Sequence, residues 1–268
     1  METGGSSHSN ITAQPTSYAH LLIELRAGSI CYLPLEHHHA GTQIKHGGEF
    51  TATRLQSVGD SFADKVAKSI VLSVFGRHPI IIPEALYNEH QLYEMYRFSS
   101  GDESEAHLLS AKIPSLGAYL VSAIDKNLYQ DVVHAIPQVN IIDKSAVWLE
   151  TLLRFNKYND TTEAYLYLEE EVSYIAIVED GKLKFFNAFH TANEIDLAYF
   201  LLYSCEQMEV NIRTAYFTLF GAIEPKHQAV LKKYVPNIRR DYPRLFTHDT
   251  NPEDLKQNTI LYHQHLCV

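Results

Sequence analysis

AYLYLEEEVSYIAIVEDGKLKFFNAF, from Ala164 to Phe189, is the stretch whose reading decides the fold. It divides into three apolar runs, Ala164 to Leu168, Val172 to Val178 and Leu183 to Phe189, each of strand length and rich in β-branched and aromatic residues. Glu179-Asp180-Gly181 separates the last two and is a tight-hairpin signal, because glycine accepts the positive φ such turns require. The spacing therefore predicts a three-stranded meander.

Reading outward towards the C-terminus, Asn193 to Met208 has helical spacing, with Ile195, Phe200 and Leu202 among the positions expected to be buried. Ala215 to Phe220 reads as a strand, Gly221 ends it, and a helix begins at Glu224 or Pro225 and runs to Tyr234. A strand or helix follows Pro252.

Towards the N-terminus the same order recurs. His20 to Leu25 and Ser29 to Leu33 read as two strands around the turn Arg26-Ala27-Gly28, and Phe50 to Gln56 as a third. Asp60 is placed to cap a helix reaching Phe75, with Phe62, Val66, Ile70 and Val74 on one face. Pro79 to Ile82 is a short strand, and Pro83-Glu84 opens a helix to Phe98. His107 to Ile113 and Ala118 to Ile124 are strands, Lys126 to Ile136 a helix, Val139 to Ile142 a strand, and Ser145 to Phe155 a helix with the only tryptophan, Trp148. The polar stretch Lys157 to Glu163 divides the chain into residues 18–157 and 158–268, after an N-terminal segment, 1–17, expected to be disordered.

With 268 residues, 46% hydrophobic and 20% charged, the chain has the composition of a globular protein with an ample core. A net charge of −10 disfavours nucleic acid and anionic membrane surfaces as general partners. Lys232, Lys233, Arg239, Arg240 and Arg244 form one basic stretch, broken by prolines and an aspartate, that reads as solvated surface. Three widely spaced cysteines, Cys31, Cys205 and Cys267, indicate a reducing compartment rather than a disulfide framework. Residues 1–17 lack the basic start and apolar core of a signal peptide, and the longest apolar runs fall below the roughly 18 residues of a spanning helix. The expectation is a cytoplasmic protein without direct membrane insertion.

Two successive units of strand, strand, strand, helix, strand, helix resemble the actin-like (ribonuclease H-like) ATPase superfamily. Ala118 to Phe155 is similar to the region closing the first half of the cytoplasmic platform proteins of type II secretion and type IV pilus assembly. From about Tyr18 onward the chain also resembles an uncharacterised bacterial family of this fold, through Ala164 to Phe189 and YFTLFG, Tyr216 to Gly221. The resemblance implies an α/β protein of two βββαβα halves with a cleft between them. It also implies two glycine-bearing hairpins that cradle phosphates, each beside an acid, and a glycine that admits the adenosine.

Set against that pattern, Glu24 stands at the first acid, Arg26 replaces a glycine, and Gly28 and Ser29 come a residue or two late. The second hairpin has Glu169-Glu170-Glu171 where glycines belong, so like charge meets a phosphate and its backbone approach is lost. Gly221 is retained at the third position. Glu24, Gly28, Ser29 and Gly221 are thus the candidate nucleotide-binding residues, and no catalytic residue or cofactor is expected.

His37, His38, His39 and His46 crowd one loop, and His263, His265 and Cys267 would share one face of a strand; either could in principle hold a metal, but neither has a fixed second shell in the sequence. Glu24, Asp143 and Glu169 are the carboxylates a two-metal nuclease would need to converge. The reading reached is a catalytically inactive actin-like scaffold that binds a protein partner, the alternative being a nucleotide binder with weak or no hydrolysis.

Overall fold

The computed structural model describes residues 18–35, 44–102, 104–239 and 252–267. The N-terminal segment and His37 to His39 lie outside them.

The first sheet comprises β1 (Tyr18–Arg26), β2 (Ser29–Leu35), β3 (Lys45–Glu49), β4 (Val66–Val74) and β8 (Val139–Asp143), in the order β3-β2-β1-β4-β8. The second comprises β9 (Thr162–Glu169), β10 (Val172–Glu179), β11 (Lys182–His190), β12 (Tyr216–Gly221) and β13 (Ile238–Arg239), in the order β11-β10-β9-β12-β13. Both are antiparallel through the opening meander and parallel beyond it. A third, three-stranded sheet, β5 (Arg77–Pro83), β6 (Ala106–Ile113) and β7 (Ala118–Asp125), interrupts the first unit after β4, in the order β5-β7-β6. The helices are α1 (Ala52–Phe62), α2 (Leu92–Ser100), α3 (Lys126–Ala135), α4 (Lys144–Asn156), α5 (Glu194–Gln207), α6 (Pro225–Leu231) and α7 (Pro252–His263). The expected α/β fold with two equivalent halves is the fold observed.

α4 explains how the halves cohere. Ala146, Val147, Trp148, Leu149, Leu152 and Leu153 share one core with Leu22 and Val71 of the first sheet and with Tyr165, Tyr167 and Phe220 of the second. A helix packed on every side has no solvent face to keep polar, which is why SAVWLETLL lacks a clean amphipathic stripe.

Four local expectations are corrected. The third strand is Lys45–Glu49, and residues expected to be strand instead form α1, because the Thr51 hydroxyl accepts from the Arg54 N–H at 3.2 Å and starts a helix. The helix expected from Asp60 to Phe75 stops at Phe62, and Val66–Val74 is a parallel strand between β1 and β8. Its run of apolar residues satisfies a helical stripe and a doubly covered strand equally well, and burial on both faces selects the strand. Pro83 opens short turns of 3₁₀-helix rather than one long helix; α2 begins only at Leu92. In α5 the buried face is Leu197, Ala198, Leu201 and Cys205, whereas Ile195 is 69% exposed and Phe200 and Leu202 are half-buried.

Among the described residues, no helix is long and apolar enough to cross a membrane.

Candidate functional site

The first hairpin turns over two residues, Ala27 (φ +25) and Gly28 (φ +75), between the paired residues Arg26 and Ser29. The second turns over Glu170 and Glu171 between Glu169 and Val172, and places Glu170 at φ +50, which a side chain adopts only at some strain. Arg26 and Glu169 are therefore equivalent, each the last strand residue before its turn. Both hairpins face a cleft of about 740 Å³, within the range of ligand pockets. Its other walls include the β4–β5 corner, Val74 to Ile80, and the end of β11, Asn187 to His190.

A line of charged side chains crosses beneath this cleft. Glu24, wholly buried, accepts from Arg26 at 2.5 Å and lies 3.4 Å from the Lys144 ammonium. Lys144, equally buried, donates to Glu169 Oε1 at 2.8 Å and Oε2 at 3.1 Å. Arg26 also donates to Asn258 Oδ1 of α7 at 2.7 Å. The Phe75 ring, which lines the cleft, lies 4.8 Å from the ammonium and stacks on Tyr174 at 4.2 Å, closing the floor. Burial raises the Glu169 carboxyl above the usual carboxylate range, and the Lys144 charge limits that rise. Burial also pushes the phenol of Tyr167, on β9, well up, helped by the charges of Glu24 and Glu169.

Asp143, the residue before Lys144, is saturated by other partners. Its Oδ1 accepts from the Ser145 N–H at 2.6 Å, capping α4, and its Oδ2 accepts from the Gly76 N–H at 2.8 Å and the Ser122 hydroxyl at 2.5 Å. Burial raises its pKa, and the hydrogen bonds oppose the shift. The carboxylate thus ties the first sheet to the third, and Gly76 is needed there because a Cβ would stand 2.1 Å from the Ser122 hydroxyl.

Of the candidate nucleotide residues, Gly28 and Ser29 line the cleft, with open space where a Gly28 side chain would point. Glu24 sits below it, held by two cations. Gly221 occupies the end of β12 at φ +77, where a Cβ would lie 2.1 Å from the Leu168 carbonyl oxygen; the next residue, Ala222, donates to that oxygen at 2.8 Å. Its demonstrable role is to let β12 close onto β9.

Glu24 and Glu169 converge on Lys144, an ammonium rather than a metal ion, and Asp143 is engaged elsewhere. Among the described residues no group of three or more His, Cys, Asp or Glu is arranged to hold a metal. His263 ends a helix, with its Nδ1 2.6 Å from the Thr259 carbonyl oxygen, and the residues after it form a 3₁₀ turn, so the alternating strand expected for His263, His265 and Cys267 is not formed. His46 lies 3.4 Å from the Cys31 sulfur.

Sequence reasoning missed Lys144. A signal existed: a lysine at the first position of a helix opposes the positive end of the helix dipole, which favours nearby carboxylates.

Set beside known proteins, the chain matches no curated protein. Its structure is similar to a protein of Bacteroides thetaiotaomicron with an actin-like ATPase fold and unknown function, at 17% identity and a TM-score of 0.77, covering 98% of this chain and 100% of that one. It is also similar to a chain of the PilM–PilN type IV pilus biogenesis complex, at 12% identity and a TM-score of 0.61, covering 92% and 98%. At these identities the likeness establishes the actin-like fold. The model of the family described as "Protein of unknown function (DUF3822)" matches residues 61–238, and the chain belongs to that family.

Proposed function

We propose that this protein is a catalytically inactive actin-like scaffold that engages a protein partner, with residues 18–157 and 158–268 as its two halves. One observation carries the reading: Lys144 bridges Glu24 and Glu169, one acid from each hairpin strand, beneath the cleft. The cation that would meet a phosphate is already neutralised by the protein's own carboxylates. Glu169 and Glu170 line the cleft, and the two-residue turn at Glu170-Glu171 offers like charge in place of a glycine cradle. A phosphate drawn to Lys144 would have to displace Glu24 or Glu169 from it, and breaking such a buried pair costs about 3–5 kcal/mol.

Partner binding draws support from the pilus-biogenesis relative, whose structure is of a complex of two proteins. The reading places the protein in the cytoplasm, in keeping with three unpaired cysteines. A second reading, a nucleotide binder with weak or no hydrolysis, is favoured by Gly28 and Ser29 at the wall of a cleft of suitable size.

Calorimetric titration with ATP and ADP in the presence of magnesium separates the two. The scaffold reading expects no saturable heat at millimolar nucleotide. Saturable binding at micromolar concentration that weakens in Gly28→Val would reject it in favour of the second.

A further inference from the structure

α5 buries Leu197, Ala198, Leu201 and Cys205 against the second sheet, and the opposite face of such a helix is ordinarily charged. Here that face carries Ile195, Tyr199 and Tyr203, each one turn after the last and 69%, 57% and 44% exposed. The two tyrosine rings stack at 5.9 Å. The aromatic surface continues sideways: Tyr199 meets Phe200 edge-on at 5.2 Å, and Phe200 stacks at 4.6 Å on Phe189 of β11. Among the described residues, the outer edge of β11 pairs with no other strand.

Along α5 itself the charge is one-sided, whereas the neighbouring β11 carries Lys184, which pairs with Glu179 at 3.0 Å. Between Thr191 and Ile212 the chain has Glu194, Asp196, Glu206 and Glu209 and no Lys, Arg or His. Glu206 follows Tyr199 by two turns and Tyr203 by one, so its carboxylate belongs to the same stripe.

We propose that the outer face of α5 docks a basic amphipathic helix of a partner protein. Three apolar anchors at successive turns match the ridge of a helix lying along a helix, and flanking Lys or Arg would meet the carboxylates. A second copy of the same face would set like carboxylates, Glu206 among them, against each other, and an anionic membrane would be repelled in the same way. This names one surface through which the proposed scaffold would hold a partner. It lies outside the cleft, so nucleotide binding there would leave it standing.

The test uses the full chain and a fluorescent Lys/Leu amphipathic peptide of about five helical turns, with a Glu/Leu peptide of the same pattern as control. The Lys/Leu peptide should bind saturably and more weakly at high salt, and the control should not bind. Tyr199→Ser with Tyr203→Ser, and separately Glu206→Lys, should each weaken binding about tenfold or more, equivalent to about 1.4 kcal/mol. Absent binding, equal binding of both peptides, or full affinity in the variants would overturn the proposal. So would a fall in melting temperature of the tyrosine variant comparable to that of a core substitution, since the chain itself would then cover the face. A dimer seen by sedimentation and abolished by the same variant would overturn it in favour of a second copy.

Discussion

The β1–β2 and β9–β10 hairpins are the same device built twice. Each opens a meander, turns over two residues and sets its first strand in parallel with a later one, β4 or β12. Equivalent positions nevertheless carry complementary chemistry: Arg26 precedes the first turn and Glu169 the second, while Glu24 in the first corresponds to Tyr167 in the second. With Lys144 between them, the hairpin ends are joined by ion pairs. A duplicated backbone thus leaves side chains free to diverge until the two copies bind each other.

The largest effect should come from breaking that joint. Lys144→Met leaves Glu24 and Glu169 facing each other in a buried site, and urea unfolding should register a loss of about 3–5 kcal/mol. A loss below about 1 kcal/mol would mean that the joint is solvated and the contrast between the hairpins carries little energy.

Two glycines sharpen the comparison. Gly221→Ala places a Cβ against the Leu168 carbonyl oxygen at a positive φ, and should cost about 3 kcal/mol or more. Gly28→Ala meets nothing within 4 Å and suffers only its φ of +75, so about 1 kcal/mol is expected. Chemical denaturation of both variants should preserve that order; equal losses would mean that β12 does not need its close approach to β9.

The smallest effect concerns the helices that follow β7 and precede β13. α3 is capped by the Asp125 carboxylate, which accepts from the Asn127 and Leu128 N–H groups, whereas at α6 the Glu224 N–H donates to His227 Nδ1 at 3.0 Å. Burial holds His227 below its ordinary value of 6.5, with the neighbouring Lys226 acting the same way. The unfolded chain therefore takes up the proton more readily, and the contribution is present above that value and lost as pH falls through the lower folded one. Melting across mildly acidic pH should reveal a loss of about 1 kcal/mol or less, diminished in His227→Gln, which can still accept without titrating. An identical pH profile in the variant would remove the histidine from this account.

Legibility tracked how local the determining interactions were. β9 to β11 could be read because Asp180-Gly181 and the apolar runs act within a few residues of each other, and both turn residues do adopt positive φ. β4 could not, because Val66, Ile70 and Val74 suit a helix until β1 and β8 cover both edges of the segment. For the candidate site, sequence placed Glu24 and the triple glutamate at the hairpins, and Gly28 and Ser29 beside the first turn. It had no means of bringing Lys144 between the acids.

The sequence by itself thus determined the order of strands and helices in most of the chain, and the loss of glycine from the second hairpin, since both follow from residue type and short-range spacing. Only the tertiary structure decided which apolar runs became covered strands, that α5 turns Ile195 outward, and that Gly221 serves the closure of a sheet. The same holds for the ion pairs at Lys144. Burial and charge pairing are properties of surfaces brought together by folding, and residues distant along the chain acquire their partners only when α4 packs between the two sheets.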